Sequence, residues 1–153
     1  MIQVIAKLDK SARARLSWIQ SFAASFGIVP KPIYGHITLA SLEDRAAAAC
    51  RSALAEQKTF SVDFTSVEVL AQEKTVAALA AREGALEAVH EIIAPGVEWT
   101  PHTALLRDGM MNLSWVRTAM GQMFQPFTAK VDRIEFLENG EIIDGIDLKG
   151  EEA

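Results

Sequence analysis

The sequence predicts an α+β fold built from a duplicated unit around a central cleft. The first observation is that short apolar or alternating runs, typical of β-strands, are separated by segments whose apolar residues recur at helical spacing. The second is that two of these strand patterns each begin with a histidine, His36 and His102. The third is that a long alternating strand pattern follows each histidine strand, so the second half repeats most of the first.

The first half of the chain alternates predicted strands and helices. In order they are a strand over residues 2–8, a helix that ends at Gly27, a histidine strand over 36–40, a helix from Ser41 to about Gln57 and a strand over 59–70. Ser41 is the expected cap of the second helix. The alternation of the last strand changes phase, which indicates a bulge near Thr65-Ser66.

An alanine-rich strand over 75–81 is predicted to follow as the partner of the long strand and to close the first half. The second half repeats most of this order, with a helix over 83–93, a histidine strand over 102–107, a helix over 111–124, a long strand over 127–137 and a last strand over 142–148. Asn139-Gly140 separates the last two strands, and this dipeptide is a strong signal for a two-residue hairpin turn.

The two halves share one sequence offset. His36 and His102 are 66 residues apart, and Phe60–Leu70 aligns without gaps on Phe127–Leu137 at an offset of 67. An accidental pair of histidines would not share the offset of a neighbouring strand pattern, so we interpret them as equivalent positions in a duplicated unit. Duplication relates equivalent side chains by a pseudo-two-fold axis, and a cleft on that axis receives one histidine from each lobe.

Size and composition restrict the class of protein. With 153 residues, half of them hydrophobic, we expect a single bilobal domain over 1–153. The net charge of −5 disfavours long nucleic acid, which requires a basic surface, but allows a small anionic ligand. The single cysteine, Cys50, excludes an internal disulfide and fits the cytoplasm. We see no signal-peptide pattern and no apolar run near the ~20 residues that span a bilayer, so no membrane association is expected.

Paired histidines suit acid–base catalysis. Side chains alternate along a strand, so His36 and Thr38 share one face while Ile37 and Leu39 share the other. Two imidazoles in one cleft repel each other when both are charged, so near neutral pH one can act as base and the other as acid. This arrangement suits displacement at a phosphate ester, with the Thr38 hydroxyl donating to a phosphoryl oxygen.

The sequence resembles the 2H phosphoesterase superfamily, which includes 2′-5′ RNA ligase-like proteins and cyclic phosphodiesterases. The residues that carry the resemblance are His36-Ile37-Thr38-Leu39, Pro101-His102 and both long strands. It implies two antiparallel sheets flanking the cleft, with helices outside. It also implies catalytic roles for His36 and His102, and metal-independent, cofactor-free chemistry on 2′,3′-cyclic phosphate or related nucleotide and RNA-end phosphodiesters. Which histidine is the acid depends on the substrate pose and stays open.

The second motif departs from the family pattern. Ala104 stands where the family has threonine or serine, so one phosphate-binding hydroxyl is missing. Thr103 is a candidate substitute if a bulge turns it into the cleft, and Tyr34 is a candidate contact to a base or phosphate. The alternative to an enzyme is therefore a nucleotide- or RNA-end-binding protein without turnover.

The other histidine and the tryptophan considered for the site are expected to have structural roles. No two of the three histidines have the close spacing of metal ligands, so no metal site is expected. His90 is expected at the surface or boundary of its helix. For Trp99 we expect core packing in preference to stacking on a base.

Overall fold

The computed structural model describes residues 1–24, 35–107 and 112–150, which form strands and helices in the predicted order. The first half contains β1 (Ile2–Leu8), α1 (Lys10–Ala24), β2 (His36–Leu42), α2 (Asp44–Ala53) and β3 (Phe60–Leu70). After a short 3₁₀ turn, Ala71–Glu73, the second half contains β4 (Thr75–Ala80), α3 (Gly84–Ile93), β5 (His102–Arg107), α4 (Leu113–Met123), β6 (Phe127–Glu138) and β7 (Glu141–Asp147).

The strands form an antiparallel sheet in the order β2-β1-β6-β3-β4-β5. The last strand, β7, pairs with Arg133–Glu138 of β6, along the edge of β6 opposite to β1. The predicted α+β fold is confirmed. The two expected sheets are continuous, because β3 and β6 pair along their first halves and join β2-β1-β6 to β3-β4-β5. Each histidine strand is thus the outermost strand of its half.

The pairing of β3 with β6 locates the pseudo-two-fold axis. Phe60 lies opposite Val131, and Phe64 lies opposite Phe127. The sequence offset of 67 converts the first pair into the second, and it converts the pair Val62–Ala129 into itself. The axis therefore passes through the sheet between Val62 and Ala129, as a duplicated unit requires.

The register irregularities within the two repeats are related by the same symmetry. The predicted bulge near Thr65-Ser66 is confirmed, since the register with β4 skips Thr65, and the register of β6 with β1 skips the equivalent Asp132. The registers of β2 with β1 and of β5 with β4 skip Leu39 and Leu105, which differ by the histidine offset of 66. Bulges increase local twist and bend a strand, so both lobes bend at equivalent places.

The fourth strand has a different symmetry partner from the one that its place in the sequence suggests. By order alone β4 follows a long strand, as β7 does. In the sheet, however, β4 lies between β5 and β3, as β1 lies between β2 and β6. Each repeat is therefore β-α-β-α-β, and β7 is an addition after the second repeat.

The second helix of the first half begins and ends at other residues than predicted. The predicted Ser41 cap is wrong: Ser41 belongs to β2 and lies opposite Gln3, and Glu43 precedes α2 without a side-chain cap. Two more paired residues lengthen β2 at the expense of the helix, which also ends at Ala53 instead of near Gln57. Gly27, the predicted end of α1, lies outside the described residues.

The apolar faces of the helices pack on the sheet. Each presents apolar side chains at helical spacing to the core, including Leu16 and Ile19 of α1, Leu86, Val89 and Ile93 of α3, and Val116 and Met120 of α4.

The hairpin after β6 is confirmed, with Asn139 and Gly140 both at positive φ (52° and 80°), as the right-handed twist of a two-residue turn requires. Within the described ranges, no helix has the length and apolarity needed to cross a bilayer.

Candidate active site

The two histidine strands meet across a cleft. Although β2 and β5 are at opposite ends of the strand order, pairs of their residues approach within 8 Å between Cα atoms, so the sheet curves until its edges face each other. The cleft has a volume of about 540 Å³. Its lining residues are Gln3, Thr38, Leu39, Ala40, Ser41, Glu73, Trp99, Thr100 and His102.

The first motif has the predicted two-faced arrangement. His36 and Thr38 are partly exposed, whereas Ile37 and Leu39 are buried in the core. Gly35 leads into the strand at a φ of +63°, and a Cβ at this position would collide with the Arg13 side chain. A glycine thus allows the tight entry that places His36 at the first position of β2. Thr38 lines the cleft, and His36 lies two residues away on the same strand face.

A glutamine from the neighbouring strand orients the threonine. Gln3 Nε2 lies 3.4 Å from Thr38 Oγ1 and donates to it, which leaves the hydroxyl proton available for an acceptor in the cleft. Gln3 was not among the predicted site residues. Its signal was present: it is a polar residue within the apolar run Ile2–Leu8, and strict alternation places it on one face of β1.

The second motif is fixed by two contacts to its histidine. His102 Nδ1 lies 2.8 Å from the carbonyl oxygen of Thr100, and Nε2 lies 3.3 Å from Oε2 of Glu73. Because a carbonyl oxygen can only accept, Nδ1 carries a proton and the ring orientation is set. The side chain of His102 is 17% exposed, so it is largely enclosed by the protein although it lines the cleft.

The other residues predicted for binding are placed differently. Thr103 is 2% exposed, pairs with Ala78 and points away from the cleft, because no bulge intervenes between it and His102. The Thr103 hydroxyl therefore lies on the opposite face of β5 from a substrate in the cleft. Ala104 is partly exposed two residues after His102, at the position equivalent to Thr38. Tyr34 lies outside the described residues.

An aromatic side chain, Trp99, lines the cleft together with His102. The ring of His90 stacks on the indole of Trp99, with centroids 3.9 Å apart and planes 3° from parallel. Trp99 Nε1 donates to Glu87 at 3.2 Å, and Glu87 pairs with Arg82. Hydrogen bonds from Arg82 and then from Trp99 lower the pKa of the Glu87 carboxyl. The stacked His90 ring and the hydrogen bond to Glu87 therefore hold the Trp99 indole in place as a flat surface of the cleft.

His90 is not at the helix surface or boundary. It is 1% exposed, because the turn after α3 brings Trp99 back over its ring. Burial lowers the pKa of His90, and the nearby carboxylates of Glu87 and Glu91 offset this only in part. Its position behind Trp99 indicates a supporting role. The described parts of the chain contain no group of three His, Cys, Asp or Glu side chains that could hold a metal ion.

Solved structures of 2H phosphoesterases share the α+β fold of the chain. LigT of Escherichia coli is 16% identical over 97% of this chain and 96% of its own, with a TM-score of 0.63. TT0787 of Thermus thermophilus is 15% identical over 99% of both chains, with a TM-score of 0.66. A further phosphoesterase is 16% identical over 97% of both, with a TM-score of 0.61.

The likeness lies in the fold. No protein-family model and no curated protein sequence matches the chain. The three structures cover nearly the whole chain, so the predicted resemblance to the 2H phosphoesterases is confirmed for the fold. A shared fold does not establish a shared chemistry, which depends on the residues of the site.

Proposed function

We propose that this protein is a metal-independent phosphodiesterase in which His36 and His102 act as the acid–base pair. The observation that carries the proposal is the meeting of both histidine strands at one cleft, with His102 and Thr38 on its walls. One imidazole takes a proton from the attacking water, and the other donates a proton to the leaving oxygen. Thr38, oriented by Gln3, donates a hydrogen bond to a phosphoryl oxygen.

The substrate class is a small nucleotide or an RNA end that carries a 2′,3′-cyclic phosphate or a related phosphodiester. A cleft of about 540 Å³ is in the range of small-molecule sites, and Trp99 provides an aromatic surface of the kind on which bases stack. LigT has been crystallised with 3′-AMP, with ATP and with phosphate, which supports a nucleotide ligand here. The net charge of −5 supports a small ligand in preference to long nucleic acid.

The cellular setting that we propose is the cytoplasm. Cys50 is buried as a free thiol, and burial raises its pKa, so it is kept in its unreactive protonated form. A lone reduced cysteine supports a reducing compartment.

Ala104 favours a second candidate, a nucleotide- or RNA-end-binding protein without turnover. The position faces the cleft side of β5 but has no hydroxyl, so a phosphate would meet only the Thr38 member of the expected pair. Each such donor contributes about 10²–10³-fold to rate where it has been removed. This second candidate keeps the ligand and the cleft but not the chemistry.

Hydrolysis of a 2′,3′-cyclic nucleotide, with and without a chelator, tests the proposal. We expect turnover that survives the chelator and falls by about 10²–10⁴-fold in His36→Ala and in His102→Ala. Ser61→Ala, an exposed change on β3, serves as the matched control and should keep full activity. Binding without turnover would favour the second candidate, and activity lost to the chelator would refute the metal-independent mechanism.

A further inference from the structure

The ring of His102 has an acceptor at each nitrogen. Nδ1 donates to the carbonyl oxygen of Thr100 at 2.8 Å, so a neutral ring would have only a lone pair on Nε2. Nε2, however, lies 3.3 Å from a carboxylate oxygen of Glu73. Two lone pairs repel at this distance, whereas a proton on Nε2 makes the contact a charge-assisted hydrogen bond. The geometry therefore fits a doubly protonated ring.

The strand partners of the two histidines differ in charge. In the strand pairing of each lobe, Lys7 lies directly opposite His36, whereas the uncharged Leu79 lies opposite His102. Directly opposed residues of an antiparallel pair share a face, with Cβ atoms about 4.5–5.5 Å apart. Among the described side chains that line the cleft, Glu73 is the only carboxylate. A lysine is thus the strand partner of the first histidine, and a carboxylate contacts the second.

We propose that Glu73 is a positioning residue that accepts a hydrogen bond from the Nε2 proton of His102 and so makes His102 the acid and His36 the base. This inference rests on the proposed function. In hydrolysis of a cyclic phosphate, the water oxygen forms a bond to phosphorus and passes one proton to His36. One ring P–O bond breaks with its electron pair on the leaving oxygen, which takes the Nε2 proton of His102. The product is a phosphomonoester with a free hydroxyl.

Glu73 also has to move during this reaction. Its carboxylate occupies the side of Nε2 where the leaving oxygen must come, and its side chain is 53% exposed on the short turn Ala71–Glu73. An exposed side chain on a turn can swing aside when a phosphodiester enters. Its negative charge opposes the approach of the anionic substrate, so the same residue assists the acid and weakens binding.

Glu73→Gln tests both effects because the amide keeps the shape and removes the charge. We expect kcat to fall about tenfold, since the proton on His102 loses its partner, and KM to fall about fivefold, the size of one screened charge contact at about 4 Å. Glu98→Gln is the matched control: Glu98 is 91% exposed and pairs with Arg82, so both constants should stay unchanged. Unchanged constants in Glu73→Gln would overturn the proposal.

A measurement without turnover separates this inference from the proposed function. The ¹⁵N resonances of the His102 ring, assigned by their loss in His102→Gln, report the protons on both nitrogens at neutral pH. We expect imidazolium-type signals in the native protein and a neutral ring with the proton on Nδ1 in Glu73→Gln. If the native protein shows no hydrolysis, the proposed function fails and this comparison still decides the charge role of Glu73. A neutral native ring with a bare Nε2 would overturn it.

Discussion

The junction between the two halves of the sheet should be a point of high sensitivity in the fold. Phe64 is 0% exposed and stacks on Phe127 across the β3–β6 pair, with ring centroids 5.2 Å apart. Truncation of a buried phenylalanine to alanine costs about 3–5 kcal/mol, and an aromatic pair adds about 0.5–1.5 kcal/mol to simple burial. We therefore expect Phe64→Ala to lower the free energy of unfolding by about 4 kcal/mol, out of a typical total of about 5–15 kcal/mol.

Urea unfolding followed by far-UV circular dichroism measures this loss. A single transition with a lower midpoint is expected, because β3 and β6 belong to one continuous sheet and both lobes share the junction. Val131, the symmetry equivalent of Phe64, is also 0% exposed but smaller, and Val131→Ala should cost about 2 kcal/mol. A loss below about 1 kcal/mol for Phe64→Ala, or two separate transitions in the native protein, would refute the reasoning.

Two further predictions concern the site and its support. Ala104→Thr should raise kcat by about tenfold or more if the missing hydroxyl limits the rate, and an unchanged kcat in a folded variant would refute this; steady-state kinetics on a cyclic nucleotide decides it. Because burial lowers the pKa of His90 below its ordinary 6.5, the unfolded chain binds a proton more readily, so the free energy of unfolding should fall as pH drops below about 6.5. Thermal unfolding across pH should show a weaker acid dependence in His90→Phe, which keeps a ring against Trp99, and equal slopes would contradict the assignment.

Most of the fold could be predicted because its signals are local or repeated. The alternation over Phe60–Leu70, the phase change at Thr65 and the Asn139-Gly140 turn each depend on near neighbours in sequence. The common offset of histidines and long strands added long-range information that no single element carries. It predicted the pseudo-two-fold relation that the β3–β6 register displays.

The errors have physical causes that lie outside local patterns. Ser41 has the residue type of a helix cap, but pairing with Gln3 extends β2 past it, and ladder hydrogen bonds outweigh the preference for a cap. The role of β4 was hidden because its alanines carry weak strand propensity and derive their place from burial between β3 and β5.

The site was predicted where two residues share a strand and missed where the chain folds back. His36 and Thr38 are two residues apart, so alternation alone puts them on one face. Glu73 reaches His102 from a turn 29 residues earlier in the sequence. No spacing rule connects an exposed glutamate in a turn to a histidine on another strand, so only the folded structure reveals this contact.

The position of a bound phosphate tests the central claim most directly. We expect a crystal structure of the protein with 3′-AMP to show the phosphate within hydrogen-bonding distance of both His36 and His102 and of the Thr38 hydroxyl. A phosphate that contacts only one imidazole, or that binds away from both, would contradict the account that the two lobes join their histidines around one phosphorus atom.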